Sequence, residues 1–184
     1  MKHLMFFIIC TAIFLSCAEP EPRKPVQVKS GSFFNVSVER SKKILEMETS
    51  IIQKLIEKDS ANTYRTSNSG FWYSRETSTD SINYLPKTND IVLLTYNIMN
   101  LANDTIYSTK DIGLVEHAVD KSQLFPGLRN AVKLLGKGEK ATFIFPSAQA
   151  YGYKGDNERI GPNTPIKSSV NILEIKKDSN NIKS

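Results

Sequence analysis

Side chains able to make or break bonds are scarce in this 184-residue chain. It has two histidines and two cysteines. Three of these four, His3, Cys10 and Cys17, sit at its N-terminal end. With only His117 beyond them, the chain cannot assemble a Cys–His pair or a histidine-rich metal site, and no disulfide is expected. A Ser–His–Asp triad would have to use His117, which reads instead as a partly buried strand histidine. Gly136-Lys137-Gly138 invites a phosphate-loop reading, but it lacks the Gly-Lys-Ser/Thr ending and follows a helical stretch rather than preceding one, so it reads as a turn. No metal and no cofactor is implied. What remains are aromatic and aliphatic side chains, the materials of an apolar pocket.

The elements that must position such a pocket are clearest in residues 124–152, LFPGLRNAVKLLGKGEKATFIFPSAQAYG. Pro126 suits a helix start, where its fixed φ is already helical and its missing N–H is not needed. Leu128, Ala131, Val132 and Leu135 fall at helical spacing, so one face is buried. Gly136 follows at once, where a left-handed residue would stop the helix. Lys140 to Pro146 then alternates, with Ala141, Phe143 and Phe145 on one side, and predicts a strand. Ala150-Tyr151-Gly152 opens a loop.

The rest of the chain reads in order as follows. Residues 1–16 hold Lys2 and an apolar run from Leu4 to Leu15, too short to span a bilayer but suited to a signal peptide. Leu15-Ser16-Cys17 resembles the lipobox of bacterial lipoproteins, which makes Cys17 the lipidation site and mature N-terminus. Residues 17–35 are rich in proline and polar residues and read as a tether. Residues 36–59 predict a helix, with Ile44, Leu45, Ile51, Ile52, Leu55 and Ile56 on an apolar face interrupted by Glu48. That helix either packs on the following domain or pairs with a second copy. Residues 60–178 form the domain proper. Residues 60–70 read as loop, and Phe71-Trp72-Tyr73 starts a strand with Trp72 in the core. Pro86–Asp90 is a turn, and Asp90–Met99 is apolar enough for a central strand. Asn103-Asp104 makes a hairpin turn, and a short strand lies within Ile112–Val119. Residues 179–184 are a polar tail. The architecture is therefore α+β.

The net charge is +5 and the pI about 9.1. The charge falls to +4 if Lys2 leaves with the leader, since 23 basic and 19 acidic residues then remain. The basic residues form no stripe interleaved with aromatics, which argues against nucleic acid as a partner.

Taken together, LFPGL, GKGEKATFIFP and AYG, with Tyr96 in LTYN, the IGPNT segment and the closing SVNILEI, occur in the order of the FKBP-type peptidyl-prolyl isomerases. The resemblance covers about residues 85–177. With the lipobox and the N-terminal helix, the whole resembles the gliding-motility-associated FKBP-type lipoproteins. It implies a twisted antiparallel sheet wrapped across the short helix, and rotation about Xaa–Pro bonds as the reaction. That rotation has a barrier of roughly 18–20 kcal/mol and takes tens to hundreds of seconds unaided. A dry cup for the proline ring and a few donors that favour the twisted amide suffice to speed it.

The resemblance assigns Tyr96 and Tyr151 as pocket tyrosines, Leu124 and Phe125 as the pair whose main chain grips the peptide, and Ile160 as the residue over the ring. Other positions depart from the family pattern. Ile106-Tyr107-Ser108-Thr109 replaces Phe-Asp-Ser-Ser, Leu128 replaces the tryptophan floor, and Val115 and Ser168 stand where phenylalanines are usual. The pocket keeps its outline with a thinner lining. Three functions fit: a membrane-tethered isomerase for exported envelope proteins, a weakly active or inactive module that binds proline-containing segments, and a structural lipoprotein subunit of an envelope complex. The lipobox implies a place in the cell envelope facing the periplasm, on the outer membrane rather than the inner.

Overall fold

A computed structural model describes residues 30–77, 84–121 and 124–179. The leader, Cys17, most of the tether and residues 180–184 lie outside the described residues. The chain divides into two units, Met1–Val36 and Ser37–Ser184. In the first, the described residues are helical.

Helix α1 spans Ser30–Lys58, starting six residues before the expected position. The last helix-breaking residue upstream is Pro25, so nothing in residues 30–35 forbids helix, and the tether reading is corrected there. Within the second unit, Glu48 and Ile52 are buried, one helical turn apart, while Leu45, Met47 and Ile51 are exposed. Glu48 therefore does not interrupt the buried face; it lies at its centre. Among the described residues, no helix is long and apolar enough to cross a membrane.

Among the described residues, eight strands make one antiparallel sheet: β1 (Arg65–Thr66), β2 (Trp72–Thr77), β3 (Ile91–Tyr96), β4 (Ile98–Met99), β5 (Thr105–Tyr107), β6 (Val115–Ala118), β7 (Lys140–Phe145) and β8 (Ile166–Lys176). The main path runs β1-β2-β7-β8-β3-β6, and β4 pairs with both β5 and β8. Two short helices also lie among the described residues of this unit, α2 (Thr109–Ile112) and α3 (Pro126–Ala131). A 3₁₀ turn, Val132–Leu134, extends α3. The α+β expectation holds: the sheet is antiparallel, and Leu128, Ala131, Val132 and Leu135 bury the short helix in the core with Phe71, Phe143 and Phe145. The loop expected over 60–70 contains β1, which folds back on β2 through Ser67–Gly70.

β7 is the strand most deeply enclosed. Ala141, Phe143 and Phe145 join the main core, and Ile144, pointing the other way, is fully buried too. Two local expectations are corrected. Phe71, not Trp72, is the fully buried aromatic at the start of β2; Trp72 is half-buried. Gly136 is not left-handed; Gly138 takes that conformation, at φ 78°. The Glu139 carboxylate accepts the Gly136 N–H at 2.8 Å and turns the chain by a side-chain contact instead.

His117 sits on β6 opposite Val92 and is wholly buried, more than the partial burial expected. Burial lowers its pKa, with the nearby Arg129 and Lys133 acting the same way against the pull of Asp120. The unfolded chain therefore takes up a proton near pH 6.5 that the folded chain resists. Stability contributed here is complete above that pH and declines as pH falls through it. Denaturation midpoints measured from pH 7.5 to 5 should fall, and His117→Val should flatten that dependence. An equal slope in the variant would show that other groups set it.

Candidate functional site

Strand geometry brings the first two walls of a cleft together. Tyr96 and Ile98 are two residues apart and share one face, and Ile98 pairs with Tyr107 across to β5. Asn97 between them is pinned to β8. Its Oδ1 accepts the Ser169 N–H at 2.8 Å, and its carbonyl accepts the Ser168 hydroxyl at 2.6 Å. A capping box then starts α2. Asp111 N–H donates to the Ser108 hydroxyl at 3.1 Å, and Ser108 N–H donates back to the Asp111 carboxylate at 2.9 Å. This places Asp111 and Ile112 at the rim. With Tyr151, Asp156 and Glu158 from the β7–β8 connection, these residues enclose about 330 Å³.

Two tyrosines in this cleft have opposite roles. The Tyr107 hydroxyl donates to Asp156 Oδ2 at 2.6 Å and lies 3.2 Å from Glu158 Oε2. That bond, with burial and the carboxylate charges, raises its pKa to about 12. The Arg159 guanidinium stacks 4.9 Å from the Tyr107 ring centre and donates to the Ile106 carbonyl at 3.0 Å. Burial works to raise the Asp156 carboxyl, but the Tyr107 hydroxyl and the N–H groups of Glu158, Ile160 and Arg159 outweigh it and hold the carboxyl below its ordinary value. Tyr151, by contrast, has no hydrogen-bond partner for its hydroxyl among the described residues. Burial, then the neighbouring Tyr96, Asp156 and Tyr107, push its pKa well above the ordinary tyrosine value. It stays protonated and available to donate. Its ring leans on Phe125 at 5.3 Å, and Phe125 meets Phe145 edge-on at the same separation.

The loop carrying Tyr151 is held from behind. After β7 a 3₁₀ turn, Ser147–Gln149, leads to Tyr151. Gly152 N–H closes back on the Ser147 carbonyl at 2.8 Å, and Ser147 N–H donates to Glu48 Oε2 of α1 at 2.8 Å. Glu48→Ala leaves that buried N–H without its acceptor, and should cost about 1–3 kcal/mol. Glu48→Gln keeps an acceptor and should cost less. Urea denaturation of both variants checks the order, and equal losses would mean that packing, not the hydrogen bond, holds α1 in place.

The structure distributes the sequence-derived site residues unevenly. Tyr96, Tyr107 and Tyr151 line the cleft together. Phe125 is half-buried on the core against the Tyr151 ring, Leu124 is half-buried on the core, and Ile160 is buried. Leu128 is fully buried inside the core. Ile106 and Val115 are half-buried on the core, outside the cleft lining. Ser168 is fully buried and its hydroxyl is bound to Asn97, so it does not line the cleft as expected. Its side chain is too short to extend past that bond. Ile98, Asp111, Ile112, Asp156 and Glu158 were not foreseen. For Asp156 the only sequence signal is Gly-Asp-Asn-Glu, which reads as a turn. Nothing in it points to Tyr107, 49 positions earlier.

Comparison with known proteins agrees with this geometry. Residues 83–173 match the family model of the FKBP-type peptidyl-prolyl cis-trans isomerases. A probable FKBP-type peptidyl-prolyl cis-trans isomerase FkpA from Neisseria meningitidis serogroup B is 32% identical over 90 residues, covering 49% of this chain. The match spans about a third, 33%, of that relative's length. Among solved structures, a peptidyl-prolyl cis-trans isomerase from Pseudomonas syringae superposes with a TM-score of 0.59 at 20% identity, over 74% of this chain and 96% of its own. FkpA from Escherichia coli gives 0.55 at 20% identity, over 96% of this chain and 82% of its own.

Proposed function

We propose that this chain, which carries an FKBP-type domain over residues 83–173, is a prolyl isomerase that helps exported proteins fold, with lower turnover than a full-pocket member of the family. The observation that carries this reading is the Tyr151 hydroxyl. It is protonated, without a partner among the described residues, and faces a small cleft beside Tyr96 and Ile98. A donor held in such a place can bind the carbonyl of an Xaa–Pro amide as it twists. Stabilisation specific to the twisted form lowers the barrier. The reaction needs no acid, base or metal. The test is a protease-coupled assay on an Xaa–Pro peptide, together with refolding of a protein limited by proline isomerisation. Acceleration of either supports the reading; acceleration of neither overturns it.

The second reading is a binding module with little or no turnover. Leu128 favours it. The floor position is an aliphatic side chain sunk wholly in the core, so the cleft's aromatic lining is three tyrosines only. Peptide binding without acceleration would select this reading.

The cellular setting is part of the same proposal. Leu15-Ser16-Cys17 after a short apolar run supports a lipid anchor at Cys17. Diacylglycerol and an N-acyl chain together suffice to hold a soluble domain, at about 0.8 kcal/mol per buried methylene. The domain would then face the periplasm, on the outer membrane, and serve proline-containing segments of exported proteins. The resemblance to gliding-motility lipoproteins supports work beside a motility apparatus. Exposed Leu45, Met47 and Ile51 support pairing of α1 with a second copy. Cys17→Ser should release the protein from membranes or leave its leader uncut; unchanged membrane retention would overturn the anchor.

A further inference from the structure

We propose that Asp156 is a positioning residue of the isomerase cleft, acting through Tyr107. This rests on the isomerase reading above and adds a residue to it. The position aligned with the family's aspartate is Tyr107, which suggests that the site has lost its carboxylate. The fold returns one from another element. Asp156, on the β7–β8 connection, presents Oδ2 to the Tyr107 hydroxyl at 2.6 Å. Its other oxygen, Oδ1, accepts the N–H groups of Glu158 at 2.9 Å and Ile160 at 2.8 Å. One carboxylate thus ties the Tyr107 wall to the turn that buries Ile160.

Three contacts fix the Tyr107 ring: Asp156 at its hydroxyl, the Arg159 guanidinium on its face, and through Arg159 the Ile106 carbonyl. A ring so held cannot swing into the cleft or away from it. Its single proton is directed to the carboxylates, Asp156 Oδ2 at 2.6 Å before Glu158 Oε2 at 3.2 Å, so away from them the Tyr107 oxygen can only accept. Tyr151 opposite has its proton uncommitted. The cleft therefore has one donating and one accepting tyrosine, and Asp156 decides which is which. An Xaa–Pro carbonyl is directed to Tyr151. Without the Tyr107 hydroxyl, or without Asp156, the ring loses its tether and the wall opposite Tyr151 is no longer held in place.

The test is a double-mutant cycle on the full chain. Asp156→Asn, Tyr107→Phe and the pair are assayed for kcat and KM on an Xaa–Pro peptide, with thermal melts alongside. Tyr107→Phe keeps the ring and removes only the hydroxyl, so it remains informative if Asp156→Asn folds poorly. Each single variant should lose about tenfold in kcat/KM, mainly in kcat, and the double variant should lose no more than either. Additive losses, or a silent Tyr107→Phe beside a damaging Asp156→Asn, would show that Asp156 only supports its own turn and would overturn the proposal. Silent singles would do the same. A wild type that accelerates neither peptide nor refolding would instead remove the isomerase reading, and this assignment with it.

Discussion

Phe145→Ala should destabilise the domain by about 3–5 kcal/mol, the usual range for truncating a core phenylalanine. Phe145 is fully buried at the end of β7. Its ring lies 5.2 Å from Phe71, 5.3 Å from Phe125 and 5.8 Å from Phe143. Alanine would leave a void facing three aromatic rings that cannot close on it without moving two strands and α3. The site is crowded as well as deep. A Cβ on Gly127 would collide with the Phe145 ring and the Gln149 carbonyl, which explains the glycine there. A domain of this size has about 5–15 kcal/mol of stability, so the loss would be a large fraction of it. Urea denaturation measures it directly. A change under 1 kcal/mol would mean that the aromatic cluster is not the core it looks to be. Activity should fall along with stability, because Phe145 supports Phe125 and Phe125 supports Tyr151.

Tyr151→Phe should have the opposite profile: a loss of about two- to tenfold in kcat/KM with an unchanged melting temperature. The hydroxyl bonds to nothing among the described residues, so removing it breaks no contact of the folded state. The ring, which packs on Phe125, remains. A hydrogen bond made to the twisting amide is worth about 0.5–1.5 kcal/mol net, and each 1.36 kcal/mol is tenfold in rate. A loss shared equally between kcat and KM would place part of that bond in the ground state. An unchanged rate would dissociate Tyr151 from the chemistry altogether. A lowered melting temperature would mean that the hydroxyl has a structural partner after all.

Phe145 is legible in the sequence for local reasons, whereas Tyr151 is legible only through the family resemblance of Ala150-Tyr151-Gly152. Pro126 begins α3 because a proline at that position fits the first turn, and alternation over Lys140–Phe145 announces β7. Asn103 takes φ 72° in the β4–β5 turn, as a hairpin asparagine can. What the sequence concealed depends on distant partners. Glu48 interrupts an apolar face only if the helix is considered alone. Its partner, Ser147, is 99 positions away. Asp156 sits in a polar turn and becomes part of the cleft only when β5 is brought beneath it. Gly136 was misassigned because Glu139, three residues on, captures its N–H. Trp72 lost the core to Phe71 because bulk alone does not say which face of a sheet a residue takes.

The place of β8 has a consequence for the order of events at birth. β8 is the last strand along the described chain, yet it lies inside the sheet, between β7 and β3, and also pairs with β4. A chain emerging N-terminus first holds β2 and β7 on one side and β3 and β6 on the other, with the seam between them open until residues 166–176 appear. Before then each part exposes a strand edge. Folding of the sheet therefore waits until β8 has been made, and any step that needs an unfolded chain has until that moment to engage it. A ribosome stalled within β8 would leave both edges of that seam bare, an invitation to chaperones and proteases that the paired sheet does not extend.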